Sequence, residues 1–501
     1  VTLPANLGKL LDATGIAAAP AVIDLTVPGS ERTWTYGELD ALTDAVAHGL
    51  RAAGIGPGER VGLMSANSPR AIAVLLGAMR AGCVAVPLNP RAGPETVHFM
   101  CADAGLAIVF VDAAGREAVP EDRRTVDLDG PSFDAFVVPG AFDAVQPEPD
   151  APALILYTSG STGRPKGVLL SHASQARIAA GYATPAMAEC LAAGPSIVAA
   201  PIFHMNATVN ITLTFLMCGA LVLLARFDAR AFIAALSRHR VSVLSGVPTM
   251  TALIAQEHEA LAQADLRGVR LVVIGSAPLS ESVLAQVHRL FPDAAVINSY
   301  GTTETGAGYY GAHPGGVPRP PMSVGYPQPH AEMRLVGGSG PDEGVLEIRA
   351  STRMLGYVNR PELTAQKMRD GWIDTGDIMR RDPAGFHYFV GRADDMFVCS
   401  GENVYPGAVE RVLERHPDVL EVCVLPLADA VRGEVPVAFV VPRAGTAPTD
   451  RSVKDFALAH AAPFMHPRRV WFIDRMPLAG TNKIDRHALR ARARELARQP
   501  G

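Results

Sequence analysis

Tyr157-Thr158-Ser159-Gly160-Ser161-Thr162-Gly163-Arg164-Pro165-Lys166-Gly167 decides how the rest of this chain is read. Two serines, two threonines, three glycines and a lysine share eleven residues. The apolar run Ala153-Leu154-Ile155-Leu156 leads in as a strand, and Val168-Leu169-Leu170 leads out to Ser171, which is placed to cap a helix. Such a loop suits a polyphosphate. Glycines admit backbone N–H groups to the oxygens, hydroxyls donate further bonds, and Lys166 adds positive charge. It is not a Walker loop, because Lys166 precedes Gly167 instead of a serine or threonine.

Outward from this loop, helical and strand patterns alternate. Before it, Tyr36 to Leu50 places Leu39, Leu42, Val46 and Leu50 on one helical face, Arg60 to Met64 and Cys83 to Pro87 read as buried strands, and Ala71 to Met79 reads as an apolar helix. Residues 112 to 152 read as loop. After it, four strands each end in small or polar residues. Ser196 to Ala200 runs into Pro201-Ile202-Phe203-His204, and Val241 to Gly246 into Val247-Pro248. Leu271 to Ile274 runs into Gly275-Ser276-Ala277-Pro278, and Ala295 to Ser299 into Tyr300-Gly301-Thr302-Thr303-Glu304. The alternation predicts an α/β fold with parallel sheets, whose ligands gather at the carboxyl ends of strands, so one cleft lined by all four junctions is expected. Residues 331 to 390 read as a small β-rich subdomain. The pattern changes at Gly391-Arg392-Ala393-Asp394-Asp395, and the remainder reads as a small α+β unit of about 105 residues.

Net charge is −5, with no run of Lys or Arg, which excludes a nucleic-acid surface of the usual kind. The six cysteines are scattered without a CxxC pair, as expected of reduced thiols in the cytoplasm and not of a disulfide frame or zinc site. Val1-Thr2-Leu3-Pro4 lacks the basic flank and apolar core of a signal peptide. Ala207 to Ala225 carries no charge, but Asn210, Thr212, Thr214 and Gly219 favour a buried helix, a turn and a buried strand over membrane insertion.

The ordered motifs together resemble the adenylate-forming superfamily, over nearly the whole chain, with the hinge and closing motifs most similar to the benzoate and chlorobenzoate ligases. The resemblance implies a large domain over 1–392 and a mobile lid domain over 393–501. It implies ATP or AMP binding by Thr158, Ser159, Gly160, Ser161, Thr162, Gly163 and Lys166, by the loop Gly275, Ser276, Ala277 and Pro278 beside adenine, and by Ser299, Tyr300, Gly301, Thr302 and Thr303. Tyr300 would stack on the purine and Glu304 would hold Mg²⁺. Asp377, in Trp372-Ile373-Asp374-Thr375-Gly376-Asp377, would accept from the ribose hydroxyls beside Arg392. Lys483, in Gly480-Thr481-Asn482-Lys483-Ile484-Asp485, would be the catalytic lysine, with His204, Thr303 and Glu304 beside it, and Asp394 would be the hinge about which the lid rotates between two half-reactions.

The acyl pocket is expected from Gly181, Tyr182, His204, Met205, Asn206, Val247, Ser276, Ser299, Gly301, Gly306 and Ala307. No Lys or Arg is among them to hold a second carboxylate, and no acid to hold an α-amino group, so an aromatic or medium-sized monocarboxylic acid is expected. Coenzyme A is the expected acyl acceptor, met by Arg91, Ser400, Gly401, Glu402, Arg432, Phe464, His466 and Arg468. Met465 stands where relatives often carry a basic residue. The reading is thus an acid–CoA ligase, monomer or homodimer. The alternatives are a stand-alone enzyme loading an acyl group on a carrier protein, and a nucleotide-binding protein without catalysis.

Overall fold

The computed structural model describes residues 2–12, 15–158, 164–429, 432–479 and 483–498. Its largest core lies between two seven-stranded sheets. One runs, in spatial order, Ala295–Asn298, Leu271–Ile274, Val243–Gly246, Ser196–Val198, Leu221–Leu223, Pro20–Val27, Ser30–Thr35. Only the last pair is antiparallel. The other runs Gly356–Tyr357, Lys166–Ser171, Pro152–Thr158, Val84–Pro87, Arg60–Met64, Leu106–Val111, Thr125–Asp127, parallel except for its first two pairings.

The helix Pro69–Arg80 is buried on every face, which is why its sequence reads as apolar all round. Its last residue, Arg80, is buried as well and pairs with Asp40 (2.6 Å) and Asp44 (2.5 Å) of the neighbouring helix Tyr36–Ala52. On that helix Leu39, Val46 and Leu50 are fully enclosed, as the periodicity predicts. The uncharged stretch from 207 folds as the helix Met205–Leu216 followed by the strand Leu221–Leu223 at the middle of the first sheet. Among the described residues no helix is long and apolar enough to cross a membrane.

Residues 112–152 are more ordered than the sequence suggests. Thr125–Asp127 forms an edge strand and Pro131–Phe136 a short helix. An edge strand three residues long, with Val126 as its one apolar member, leaves no period-two signal to detect.

Antiparallel strands follow the second half of the large sheets: Ala331–Gly340, Glu343–Ala350, Trp372–Arg381 and His387–Arg392. The carboxyl-terminal sheet joins Phe397–Cys399, Glu402–Val404, Val419–Asp429, Gly433–Pro442 and Arg469–Phe472. The hairpin between Phe397–Cys399 and Glu402–Val404 is absent from the sequence reading. Its two-residue tip is Ser400 (φ 56°) and Gly401 (φ 87°), the left-handed pair that a tight hairpin requires.

The helix Arg486–Arg498 begins three residues after Lys483 and is anchored at its first turn. Arg486 donates to both carboxylate oxygens of Glu410 (2.6 and 2.8 Å) and to the carbonyl of Val424 (3.0 Å). Glu410 also accepts from the Val424 amide at 2.7 Å. Replacing one partner strands the other charge, a loss of about 3 kcal/mol. Arg486→Met is therefore expected to lower the first thermal unfolding transition by several degrees. An unchanged transition would contradict this anchoring.

Candidate active site

The four strand-end junctions expected to share a cleft do lie side by side. Ala295–Asn298, Leu271–Ile274, Val243–Gly246 and Ser196–Val198 are consecutive, parallel neighbours, so their carboxyl ends open along one edge of the first sheet. Backbone close approach builds this edge. A Cβ at Gly275 would stand 2.8 Å from the carbonyl oxygen of Ser299, and one at Gly301 2.5 Å from that of Gly306. Ser276, directly after Gly275, holds φ at 63°, a left-handed backbone uncommon outside glycine, and its side chain is exposed.

The phosphate-suited loop is the turn of an antiparallel hairpin, with Thr158 opposite Lys166 and Tyr157 opposite Gly167. Ser159, Gly160, Ser161, Thr162 and Gly163 lie outside the described residues. Beside the loop the Tyr157 hydroxyl donates to Asp103 at 2.9 Å, and the Thr158 hydroxyl is buried with no hydrogen-bond partner among the described residues. An unpaired buried donor at the mouth of such a loop marks a place for a ligand oxygen.

Asp377 joins several of the expected residues. Tyr300 donates to its Oδ2 at 2.5 Å and Arg392 to its Oδ1 at 2.8 Å. Burial raises the Asp377 pKa against the pull of Arg392. Arg392 also donates to the Thr375 carbonyl (3.1 Å) and to Asp394 (3.4 Å), which is exposed at the expected hinge.

Lys483 enters this region from the carboxyl-terminal unit. Its carbonyl accepts from the Ala479 amide at 2.8 Å, and Leu478 and Ile484 form a bridge around it. Its pKa is lowered by burial, with Asp377 acting in the opposite sense. His204, the residue before the helix Met205–Leu216, is pushed down to about 4 by burial and by the charge of Lys483. The His204 Nε2 is buried without a hydrogen-bond partner among the described residues. Lys483 thus acts electrostatically on both His204 and Asp377, three groups contributed by separate parts of the chain.

Asn67, from the second sheet's side, fixes the approach to His204. Its amide donates to the carbonyls of Ala200 (3.0 Å) and Leu224 (3.1 Å), and its Oδ1 accepts from the Ile202 amide (3.0 Å). Nothing in the local sequence Ser65-Ala66-Asn67-Ser68 signals a target more than 130 residues away.

Among the residues expected around the acyl group, Tyr182 and Ser299 share a 2.7 Å hydrogen bond, and Asn206 donates to Ser245 at 2.9 Å. The small residues Gly181 and Gly306 serve packing: a Cβ at Gly181 would meet the Gly308 carbonyl oxygen at 2.3 Å, and one at Gly306 would meet Ile178 and the Thr352 carbonyl. Met205, Val247 and Ala307 are enclosed or half-enclosed apolar residues. Arg319, missing from the sequence reading, lies behind Ser299. It donates to the carbonyls of Asn298 and Ser323, and burial lowers its pKa to about 10.

Glu304 accepts from the Tyr357 hydroxyl at 2.9 Å, and Thr303 beside it is half-buried. Among the described residues no three His, Cys, Asp or Glu side chains form a metal-binding group. A single carboxylate still fits Mg²⁺, an ion that takes most of its ligands from substrate phosphates and water.

The residues expected to meet coenzyme A divide. Arg468 donates to the His466 ring (2.7 Å), whose pKa is lowered by burial and by the nearby charges of Arg468, Lys454 and Arg432. Arg432, His466 and Arg468 therefore share one basic patch, with Lys454 as a member the sequence reading did not include. Phe464 packs on the carboxyl-terminal core. Ser400, Gly401 and Glu402 form the exposed hairpin tip, and Arg91 is exposed in the amino-terminal half.

Comparison with known proteins places this geometry. The AMP-binding enzyme family matches residues 13–358, and the AMP-binding enzyme C-terminal domain matches 408–483. The chain belongs to the AMP-binding enzyme family. It is 34% identical over 472 residues to a feruloyl-CoA synthase of Amycolatopsis sp, covering 91% of this chain and 94% of that one. It is 33% identical over 509 residues to a 3-hydroxybenzoate–CoA ligase of Aromatoleum sp. (strain CIB), covering 95% and 94%. The crystal structure of a benzoate CoA ligase from Burkholderia xenovorans LB400 superposes with a TM-score of 0.85 at 28% identity, over 97% of this chain and 99% of that one. The family assignment and the α/β architecture with its β-rich subdomain and small carboxyl-terminal unit agree with the sequence reading.

His204, His172 and His387 all titrate near 4 because they are buried. An unfolded histidine titrates near 6.5, so between about pH 6.5 and 4 the unfolded chain binds more protons, and stability falls as pH falls through that window. In a histidine NMR titration His204 is expected to stay neutral from pH 8 to about 5. A midpoint near 6.5 would contradict its burial beside Lys483.

Proposed function

We propose that this chain is an ATP-dependent acid–CoA ligase acting on an aromatic monocarboxylic acid. The observation that carries the reading is the electrostatic coupling of Lys483, from the carboxyl-terminal unit, to both Asp377 and His204. The feruloyl, 3-hydroxybenzoate and benzoate relatives support the aromatic class.

In the first half-reaction a carboxylate oxygen attacks the α-phosphorus of ATP and pyrophosphate leaves. The residues 158–163 with Lys166 receive the phosphates, Gly275 to Pro278 and Tyr300 receive adenine, and Asp377 with Arg392 receives the ribose. Asp377 already accepts from Tyr300 and Arg392, but a carboxylate has about four lone-pair sites and retains room for a diol. Lys483 sits where negative charge builds between carboxylate and α-phosphate, and its partial desolvation strengthens that attraction. Neutral His204, with a proton on Nε2, donates to the carboxylate without competing as a second cation. Glu304 is the residue that would hold Mg²⁺. Bound there, the ion would supply charge neutralisation to the phosphates.

In the second half-reaction the thiol of coenzyme A attacks the acyl carbonyl, the thiol proton is lost, and AMP departs with the oxygen that came from the acid. Arg432, Lys454, His466 and Arg468 form the patch suited to the phosphates of coenzyme A, while Arg91 and the tip at Ser400, Gly401 and Glu402 are separate contributors. The reading assigns 1–392 to the large domain and 393–501 to a lid that turns about Asp394.

The direct test is acid-dependent pyrophosphate release with ATP and Mg²⁺ across benzoates, cinnamates, fatty acids and amino acids, with and without coenzyme A. Release on aromatic acids that accelerates with coenzyme A is expected. Pyrophosphate release with an adenylate that coenzyme A cannot discharge would replace it with a carrier protein, and release on amino acids alone would overturn the reading. Lys483→Ala is expected to slow adenylate formation by about 10²-fold or more while sparing thioester formation from supplied acyl-adenylate. Equal losses in both would remove its half-reaction role.

A further inference from the structure

Residues 354–358 run as a strap along the outgoing strand of the phosphate-loop hairpin. Gly356 and Tyr357 pair antiparallel with Leu169 and Val168. The Leu355 amide donates to the Leu169 carbonyl and the Val358 amide to the Gly167 carbonyl, each at 2.8 Å. The same strap reaches the other motif, where the Met354 amide donates to the Glu304 carbonyl at 2.7 Å. Tyr357 is only 5% exposed. Its hydroxyl donates to Glu304 Oε1 at 2.9 Å, and its ring faces the Lys166 ammonium at 5.0 Å from the centroid. Its own amide is held by the Thr364 hydroxyl at 2.9 Å.

We propose that Tyr357 is a positioning residue that aims Glu304 and Lys166 at one metal–phosphate unit while keeping the two charges from pairing with each other. The inference rests on the reading of Glu304 as the residue that holds Mg²⁺. A direct Lys166–Glu304 ion pair would satisfy both groups and leave neither for a ligand. A tyrosine instead fixes one carboxylate oxygen by a neutral hydroxyl, leaving the other for a ligand, and holds the ammonium against a ring face without neutralising it.

The test is Mn²⁺ binding, followed by electron paramagnetic resonance, to the full chain in complex with α,β-methylene-ATP, together with metal-free binding of the same nucleotide. Tyr357→Phe keeps the ring and removes the hydroxyl. It is expected to weaken Mn²⁺ binding about tenfold, the effect of losing a hydrogen bond to a charged group, and to leave metal-free nucleotide affinity unchanged. Tyr357→Leu removes the ring as well and is expected to weaken metal-free nucleotide binding severalfold through Lys166. A merely structural role would lower the unfolding temperature without this separation of metal from nucleotide affinity. If Glu304→Gln weakens Mn²⁺ binding and Tyr357→Phe does not, the positioning role is overturned and the metal reading survives. If Glu304→Gln leaves Mn²⁺ binding unchanged, the metal reading fails and the positioning role fails with it.

Discussion

Asp377 is the point on which the parts of this structure converge. Its carboxylate is shared by Tyr300, from the loop after the first sheet's edge strand, and Arg392, from the end of the antiparallel sheet. Lys483 lies within its electrostatic reach from the carboxyl-terminal unit. Burial makes this carboxylate costly to ionise, and Arg392, Tyr300 and the charge of Lys367 offset only part of that cost. Any rearrangement that withdraws Lys483 changes the charge balance of the whole cleft.

The placement of His204 follows from the same logic of charge. A protonated histidine beside Lys483 would repel it, and the buried site keeps the ring neutral. That leaves a neutral ring for hydrogen bonding beside the Lys483 cation. Asn67 holds the turn before His204 from the far side of the core, so the position of the imidazole depends on packing between the two large sheets.

The cleft was legible in the sequence where chemistry and local pattern coincide. The hydroxyl-rich loop and the strand-end junctions each combine unusual residues with a strand boundary, and the four junctions do adjoin, while Thr375-Gly376-Asp377 stands out by its residues alone, inside the strand Trp372–Arg381. What the sequence hid is long-range. Tyr357 sits in Met354-Leu355-Gly356-Tyr357, which reads as an ordinary apolar segment, and its partner Glu304 is 53 residues away. Lys454 lies on the helix Asp450–His460 and joins the basic patch only through the fold of the carboxyl-terminal sheet. Gly181 reads as pocket space, but its missing side chain faces the backbone of Gly308. Small residues permit close approach both to ligands and to neighbouring chain, and composition alone does not distinguish the two.

The central claim is that the acid is activated by direct bonding of its own oxygen to the α-phosphorus. The measurement that tests it most directly is single-turnover reaction of a carboxyl-¹⁸O-labelled aromatic acid with ATP and coenzyme A, followed by mass analysis of the phosphorus products. The account predicts one ¹⁸O in AMP and none in pyrophosphate. Label appearing in inorganic phosphate, or AMP free of label while thioester forms, would contradict it.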